Sequence, residues 1–173
     1  LAYFNDYLHH GYYPFFFEKR NYLENLLKNI NLALEIDISY LQQIELKYLP
    51  KLRKLLYLIA ISAPFQPNIS KLSSEIETSR ATVMNYLKYL KQANIINLLY
   101  EGEPDQLKKP ARVYLQNPNL LYSVARGEID PEVLYKTFFS SQLSYLHKLS
   151  FCREGDFYVD GFGIFKIGGR LKQ

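Results

Sequence analysis

A chain of 173 residues, 48% hydrophobic and 22% charged, has an ordinary globular composition and enough length to bury a core without disulfides or metals. The single cysteine, Cys152, excludes an internal disulfide and fits a reducing cytoplasm, and with no His or Asp/Glu cluster beside it in sequence it reads as a small hydrophobe. The net charge is +4, and the aromatic content is unusual in kind, with 16 Tyr, 11 Phe and no Trp. No basic start leads into an apolar run, so no signal peptide is expected in this stretch, and the apolar stretch Leu55 to Ile61 is far short of the roughly 20 residues that span a membrane.

The chain opens on Leu1 inside a helical pattern and closes at Gln173 soon after a strand pattern, which reads as a piece of a longer protein. Leu1 to His10 is the end of a helix stopped by Gly11 and Pro14. An aromatic loop, Tyr12 to Phe17, follows. Tyr22, Leu23, Leu26, Leu27 and Ile30 have helical spacing over Lys19 to Leu34. A Glu35-Ile36-Asp37 break then precedes another helix over Ile38 to Lys47.

Lys51 to Ser62 predicts a helix with Leu52, Leu55, Leu56 and Ile59 on one side, broken by Pro64 and Pro67. A short helix runs from Lys71 to Glu77. Thr78 and Ser79 are N-cap candidates for a third, Arg80 to Ala93. Ile95 to Tyr100 and Arg112 to Gln116 read as a strand and its return strand around a polar loop. Helix, short helix, turn, helix and hairpin is the winged helix-turn-helix order. Asn117-Pro118-Asn119 marks a boundary. Beyond it come a short helix to Val124, a helix from Pro131 to His147, and a hairpin of Phe157 to Val159 and Phe162 to Ile167 around Asp160-Gly161. The predicted fold is α+β and mainly helical. It divides into a helical segment 1–49, a winged helix-turn-helix 50–117, and a C-terminal segment 118–173 that the family resemblance set out below implies to be a partial restriction-endonuclease-like α/β domain.

Charge singles out the middle region. Residues 51–116 carry ten basic side chains against five acidic ones, whereas the remainder carries eleven against twelve. That is the footprint of a phosphate binder. On the third helix Val83, Leu87 and Leu90 form the core stripe, with Thr82, Asn85, Lys88, Tyr89 and Gln92 opposite. Candidate DNA-binding residues are therefore Arg80, Thr82, Asn85, Lys88, Tyr89, Lys108, Lys109 and Arg112. A solvated helix face is also polar, and such modules serve as protein adapters. The aromatic loop Tyr12 to Phe17 and the tyrosines Tyr86 and Tyr89 support a protein partner or self-association instead.

Phe4, Tyr7 and Leu8 followed by Gly11, Tyr13 and Pro14 resemble the "F-x-x-Y-L…G-G-Y-P" segment that follows the ATPase module in bacterial and archaeal AAA-type ATPases. Asn68 to Ser74 and Ser79 to Leu87 are similar to that family's winged helix. Lys109 to Tyr114 with Asn117 to Leu121 resembles its "K-x-Y-x-x-D-x-x-L" segment. Thr137 to Leu143, and Gly155 to Gly161 on to Gly169, look like its C-terminal restriction-endonuclease-like domain of unknown function. The resemblance implies a parent chain that uses ATP and Mg²⁺. This stretch has no Gly-x-x-x-x-Gly-Lys-Ser/Thr loop, so no cofactor is expected in it.

A nuclease of that fold holds Mg²⁺ with clustered carboxylates beside a Lys. By the resemblance the carboxylate positions read Lys136, Asp156 and Lys166, and the Lys position reads Arg170. Two cations in place of carboxylates repel a divalent metal, so the reading is a degenerate, non-catalytic site with no metal. Asp160 belongs to the hairpin turn, and His9 and His10 point to different helix sides, as solvated histidines do.

Overall fold

The computed structural model describes residues 2–14, 17, 20–42, 44–62, 66–102 and 108–168. Helix α1 (Ala2–His10) ends at Gly11, whose φ of +66° suits glycine. Space also demands glycine there. A Cβ would lie 2.6 Å from Asn119 Nδ2 and 2.7 Å from Asn117 Oδ1. Asn119 Nδ2 donates to the His10 carbonyl at 2.9 Å and to the Tyr22 hydroxyl at 2.8 Å, and that hydroxyl also donates to His10 O. Gly11→Ala is therefore expected to destabilise the protein by about 2–3 kcal/mol, read as a lowered urea midpoint.

Helix α2 (Tyr22–Leu32) does not stop at Glu35-Ile36-Asp37 as the sequence suggests. It runs through a wide π-type turn (Ala33–Ile38) into α3 (Ser39–Gln42). The cause is a strict four-residue apolar repeat: Tyr22, Leu26, Ile30, Leu34 and Ile38 are all buried. In an α-helix such a repeat drifts around the axis by about 40° per step. A wider turn takes up the drift and keeps Leu34 and Ile38 on the core side.

After a 3₁₀ turn (Leu46–Tyr48), α4 (Leu49–Ile61) starts with Pro50 in its first turn and buries Leu52, Leu55, Leu56 and Ile59. Asn68 caps α5 (Ile69–Glu75), its side chain accepting from Lys71 N at 3.0 Å. Ser79 caps α6 (Arg80–Gln92) in the same way, accepting from Thr82 N at 3.0 Å. Between them Glu77 is left-handed, at φ +52°. Lys54 Nζ on α4 donates to Glu75 O at 2.6 Å and Lys51 Nζ donates to Glu77 O, so two ammonium groups close the C-terminal end of α5.

Strands β1 (Ile96–Leu99) and β2 (Arg112–Leu115) pair antiparallel, with Ile96 opposite Leu115 and Leu98 opposite Val113. Those four side chains enter the main core with α4 and α6. The other face of the hairpin is also covered: Leu99 and Tyr114 form a second core with Phe157, against which Phe139, Phe151 and Phe165 pack. The hairpin is thus a shared wall.

The Asn117–Asn119 stretch, which the sequence marks as a boundary, is instead a buried joint. Asn117 and Asn119 are fully buried, and Asn117 caps α7 (Pro118–Ala125), which packs on α1, α2 and α4. Helix α8 (Pro131–Leu143) is capped by Asp130 and ends sooner than expected. The chain turns after it into β3 (Leu149–Phe151), a strand the sequence reading lacks. With β4 (Phe157–Val159) and β5 (Gly163–Phe165) it makes an antiparallel sheet of order β3-β4-β5, with Gly161 at φ +79° in the β4–β5 turn. Phe151 N donates to Tyr100 O at 2.8 Å, joining β3 to the end of β1. The protein is a mainly helical α+β fold with two small antiparallel sheets. Among the described residues, no helix is long and apolar enough to cross a membrane.

Several tyrosines are buried. Burial, with help from Tyr12 and Tyr22, pushes the Tyr13 phenol far up. Burial and the nearby Asp156 do the same for Tyr114 against the opposing pull of Arg112. A raised folded pKa stabilises the fold below the unfolded value, about 10, and that contribution is lost as pH rises beyond it. The share of tyrosinate absorbance that comes from Tyr13 and Tyr114 is expected to appear together with loss of helical circular dichroism above about pH 10, not ahead of it.

Candidate functional site

Helix α6 is fixed by Val83, Tyr86, Leu87 and Leu90 in the core. Its opposite side presents Ala81, Asn85 and Gln92 exposed, with Lys88 half-buried among them. Arg80 is exposed at its first turn. Thr82 is turned toward the cap, its hydroxyl 2.9 Å from Ser79 Oγ. Tyr89 packs part of its ring on the core, and Tyr86 is only 4% exposed. The expectation that Tyr86 and Tyr89 form an interaction face is corrected: one is core and the other borders it.

The basic residues of 51–116 divide by what they touch. Lys51 and Lys54 close α5. Arg53 pairs with Glu35 and donates to Asn31 Oδ1 at 2.8 Å, and Lys71 lies 3.7 Å from Glu75. Arg112 lies over the Phe151 ring at 4.4 Å and donates to Ala111 O at 2.9 Å, so it faces β3. Arg80, Lys88, Lys91 and Lys109 make no ion pair with any described residue.

A trough of about 500 Å³ lies between the start of α5 and the hairpin, with Arg80 and Lys109 on its walls and Asn68 and Ser70 between them. It adjoins a second of about 710 Å³ along the hairpin arm, between Lys108 to Arg112 and the end of β3 at Phe151 and Arg153. Gln66 and Lys109 line both. Among the described residues, five cations (Arg80, Lys108, Lys109, Arg112, Arg153) and one carboxylate, Glu101, line this cleft of two adjoining troughs. Of the eight candidates, Arg80, Lys108, Lys109 and Arg112 are brought into the cleft, while Asn85 and Lys88 sit on the α6 face beside Thr82 and Tyr89 at its flank. Arg153 and Glu101 were missed. Arg153 arrives through the β3–β1 contact, which no local pattern signals; its Nε and Nη2 bind Glu101 at 2.8 and 3.1 Å.

The model of the family described as "Domain of unknown function (DUF8612)" matches residues 1–128. The chain belongs to that family. No curated protein and no solved structure matches it. The DUF8612 stretch takes in α1 to α7, the body formed where α7 packs on α1, α2 and α4, and it stops before α8. Arg80, Lys108, Lys109 and Arg112 belong to the DUF8612 stretch, whereas Arg153 lies beyond it.

Also beyond it lie the positions that resemble a nuclease site. Lys136, on α8, is buried, with Nζ 2.6 Å from Asp156 Oδ1 and 2.6 Å from Glu132 Oε1. Asp156 Oδ2 accepts from Ile167 N at 2.7 Å. Burial pulls the Lys136 ammonium down, but hydrogen bonds and charge from Asp156 and Glu132 outweigh it and leave its pKa raised. Both Asp156 oxygens are thus occupied. Lys166 is exposed just past β5, and Arg170 lies outside the described residues. Among the described residues no group of three or more His, Cys, Asp or Glu is placed to hold a metal. His9 stacks on Tyr122 with ring centroids 4.3 Å apart, and His10 bonds Asp6 on its own helix.

Proposed function

We propose that residues 50–117 are a winged helix-turn-helix unit that contacts duplex DNA. In this reading α6 meets the bases with Asn85, Lys88 and Gln92, and the cations of the hairpin arm meet phosphates. The unit is a non-catalytic part of a cytoplasmic AAA-type ATP-binding protein whose ATP and Mg²⁺ are held elsewhere in the parent chain. The observation that carries the reading is the cleft: Arg80, Lys108, Lys109 and Arg112 line two adjoining troughs beside an exposed polar helix face. The element order and the two capped helices support it further.

A second reading has its own observation. Leu32, Ile36, Tyr40 and Leu46 are 52%, 55%, 83% and 69% exposed, an apolar surface that fits a protein partner or self-association. Amide chemical-shift mapping during titration with duplex DNA separates the two. The DNA reading expects shifts at Ala81, Asn85, Lys88 and Lys109. Shifts confined to Leu32–Leu46, or none, would sink it. Duplex DNA incubated with Mg²⁺ is expected to stay intact over the same titration, since Lys136 and Ile167 occupy Asp156.

A further inference from the structure

We infer that the cleft carries the DNA backbone past the winged helix unit onto the C-terminal module, where Arg153 receives a flanking phosphate and Glu101 holds Arg153 in place until the phosphate arrives. This rests on the DNA reading above. The two troughs share Gln66 and Lys109, which sets them side by side as a track of adjoining basic troughs between Arg80 and Arg153. A track of that kind fits a chain of phosphates. Its far end is built from the C-terminal module, because the Phe151 N to Tyr100 O bond sets β3 alongside the hairpin arm. Arg112 is held over Phe151, which fixes one planar guanidinium in the wall.

The Arg153 guanidinium already shows the geometry a phosphate needs. Its fork is bidentate on Glu101 at 2.8 and 3.1 Å, and the same fork accepts two phosphate oxygens. The side chains are 78% and 53% exposed, so the pair is weak, salt-screened and open to exchange. Glu101 therefore acts as a competitor: its carboxylate occupies the fork and repels an entering phosphate. Removing that carboxylate frees a cation without disturbing the core, since the backbone bridge between Glu101 and Phe151 does not involve the side chain.

The test uses the full chain and two duplexes of about one and two helical turns, roughly 10 and 20 base pairs. The Glu101→Gln variant is expected to bind the longer duplex severalfold more tightly than wild type, with a log–log salt slope steeper by about one phosphate. Arg153→Gln is expected to reduce the affinity ratio between the longer and shorter duplex relative to wild type. If both variants match wild type on both duplexes while Lys88→Gln still weakens binding, this inference fails and the DNA reading stands. If wild type binds neither duplex, both fail.

Discussion

Lys136→Met is expected to cost about 3–5 kcal/mol of folding stability, because it strands Asp156 as a charge inside the α8–β4–β5 packing. The lysine side chain is 10% exposed and that of Asp156 17%, so water replaces the lost partner poorly. Glu132, at 54% exposure, is different: Glu132→Gln should cost under about 1 kcal/mol. The Lys136→Met, Asp156→Asn double variant should recover much of the loss, since removing both charges leaves nothing uncompensated. The amide oxygen can still accept from Ile167 N. Urea titrations measure all of this as midpoint shifts at constant slope. A Lys136→Met protein as stable as wild type would show that the ion pair is not part of the fold. The pH dependence carries its own sign. The raised pKa of Lys136 keeps the pair's contribution whole below the unfolded value of about 10.4, and the contribution is lost as pH climbs through the folded value.

Much of the element order was legible in the sequence because each piece carried a local signal. Ser79 caps α6, as its type predicts, and Asp160-Gly161 makes the β4–β5 turn. The π-type turn was hidden, because Glu35-Ile36-Asp37 looks polar and broken while the signal lies in the exact four-residue spacing of Ile30, Leu34 and Ile38. Strand β3 has three residues, too few for a period to show. The double burial of the hairpin did leave a trace. Leu98-Leu99-Tyr100 and Val113-Tyr114-Leu115 are continuous apolar runs, which mark strands covered on both faces, yet they read only as strands. Charge counting located the basic region but could not tell that Lys51, Arg53 and Lys54 are committed to α5 and Glu35, nor that Arg153 joins from the C-terminal module.

That division of cations yields the second large effect. Reversing Arg80, Lys88 and Lys109 together to glutamate is expected to weaken duplex DNA binding by about 100-fold or more at moderate salt and to flatten the log–log salt slope by about two, one for each cleft cation, Arg80 and Lys109. None of the three makes an ion pair with a described residue, so the fold should survive the change, with an unaltered circular dichroism spectrum. Lys51→Gln and Lys54→Gln are the contrast. Each should cost about 0.5–1 kcal/mol of stability by uncapping α5 and leave DNA affinity nearly unchanged. Equal losses of DNA affinity in both sets would mean that bulk charge, and not this cleft, governs binding.

The most direct measurement is the affinity of the wild-type chain for duplex DNA, by fluorescence polarisation, across a salt series. Arg80, Lys109 and Arg112, which make no ion pair with any described residue, predict a log–log slope of roughly −3, at about 0.9 per neutralised phosphate. No binding at low salt, or binding indifferent to salt, would contradict the account.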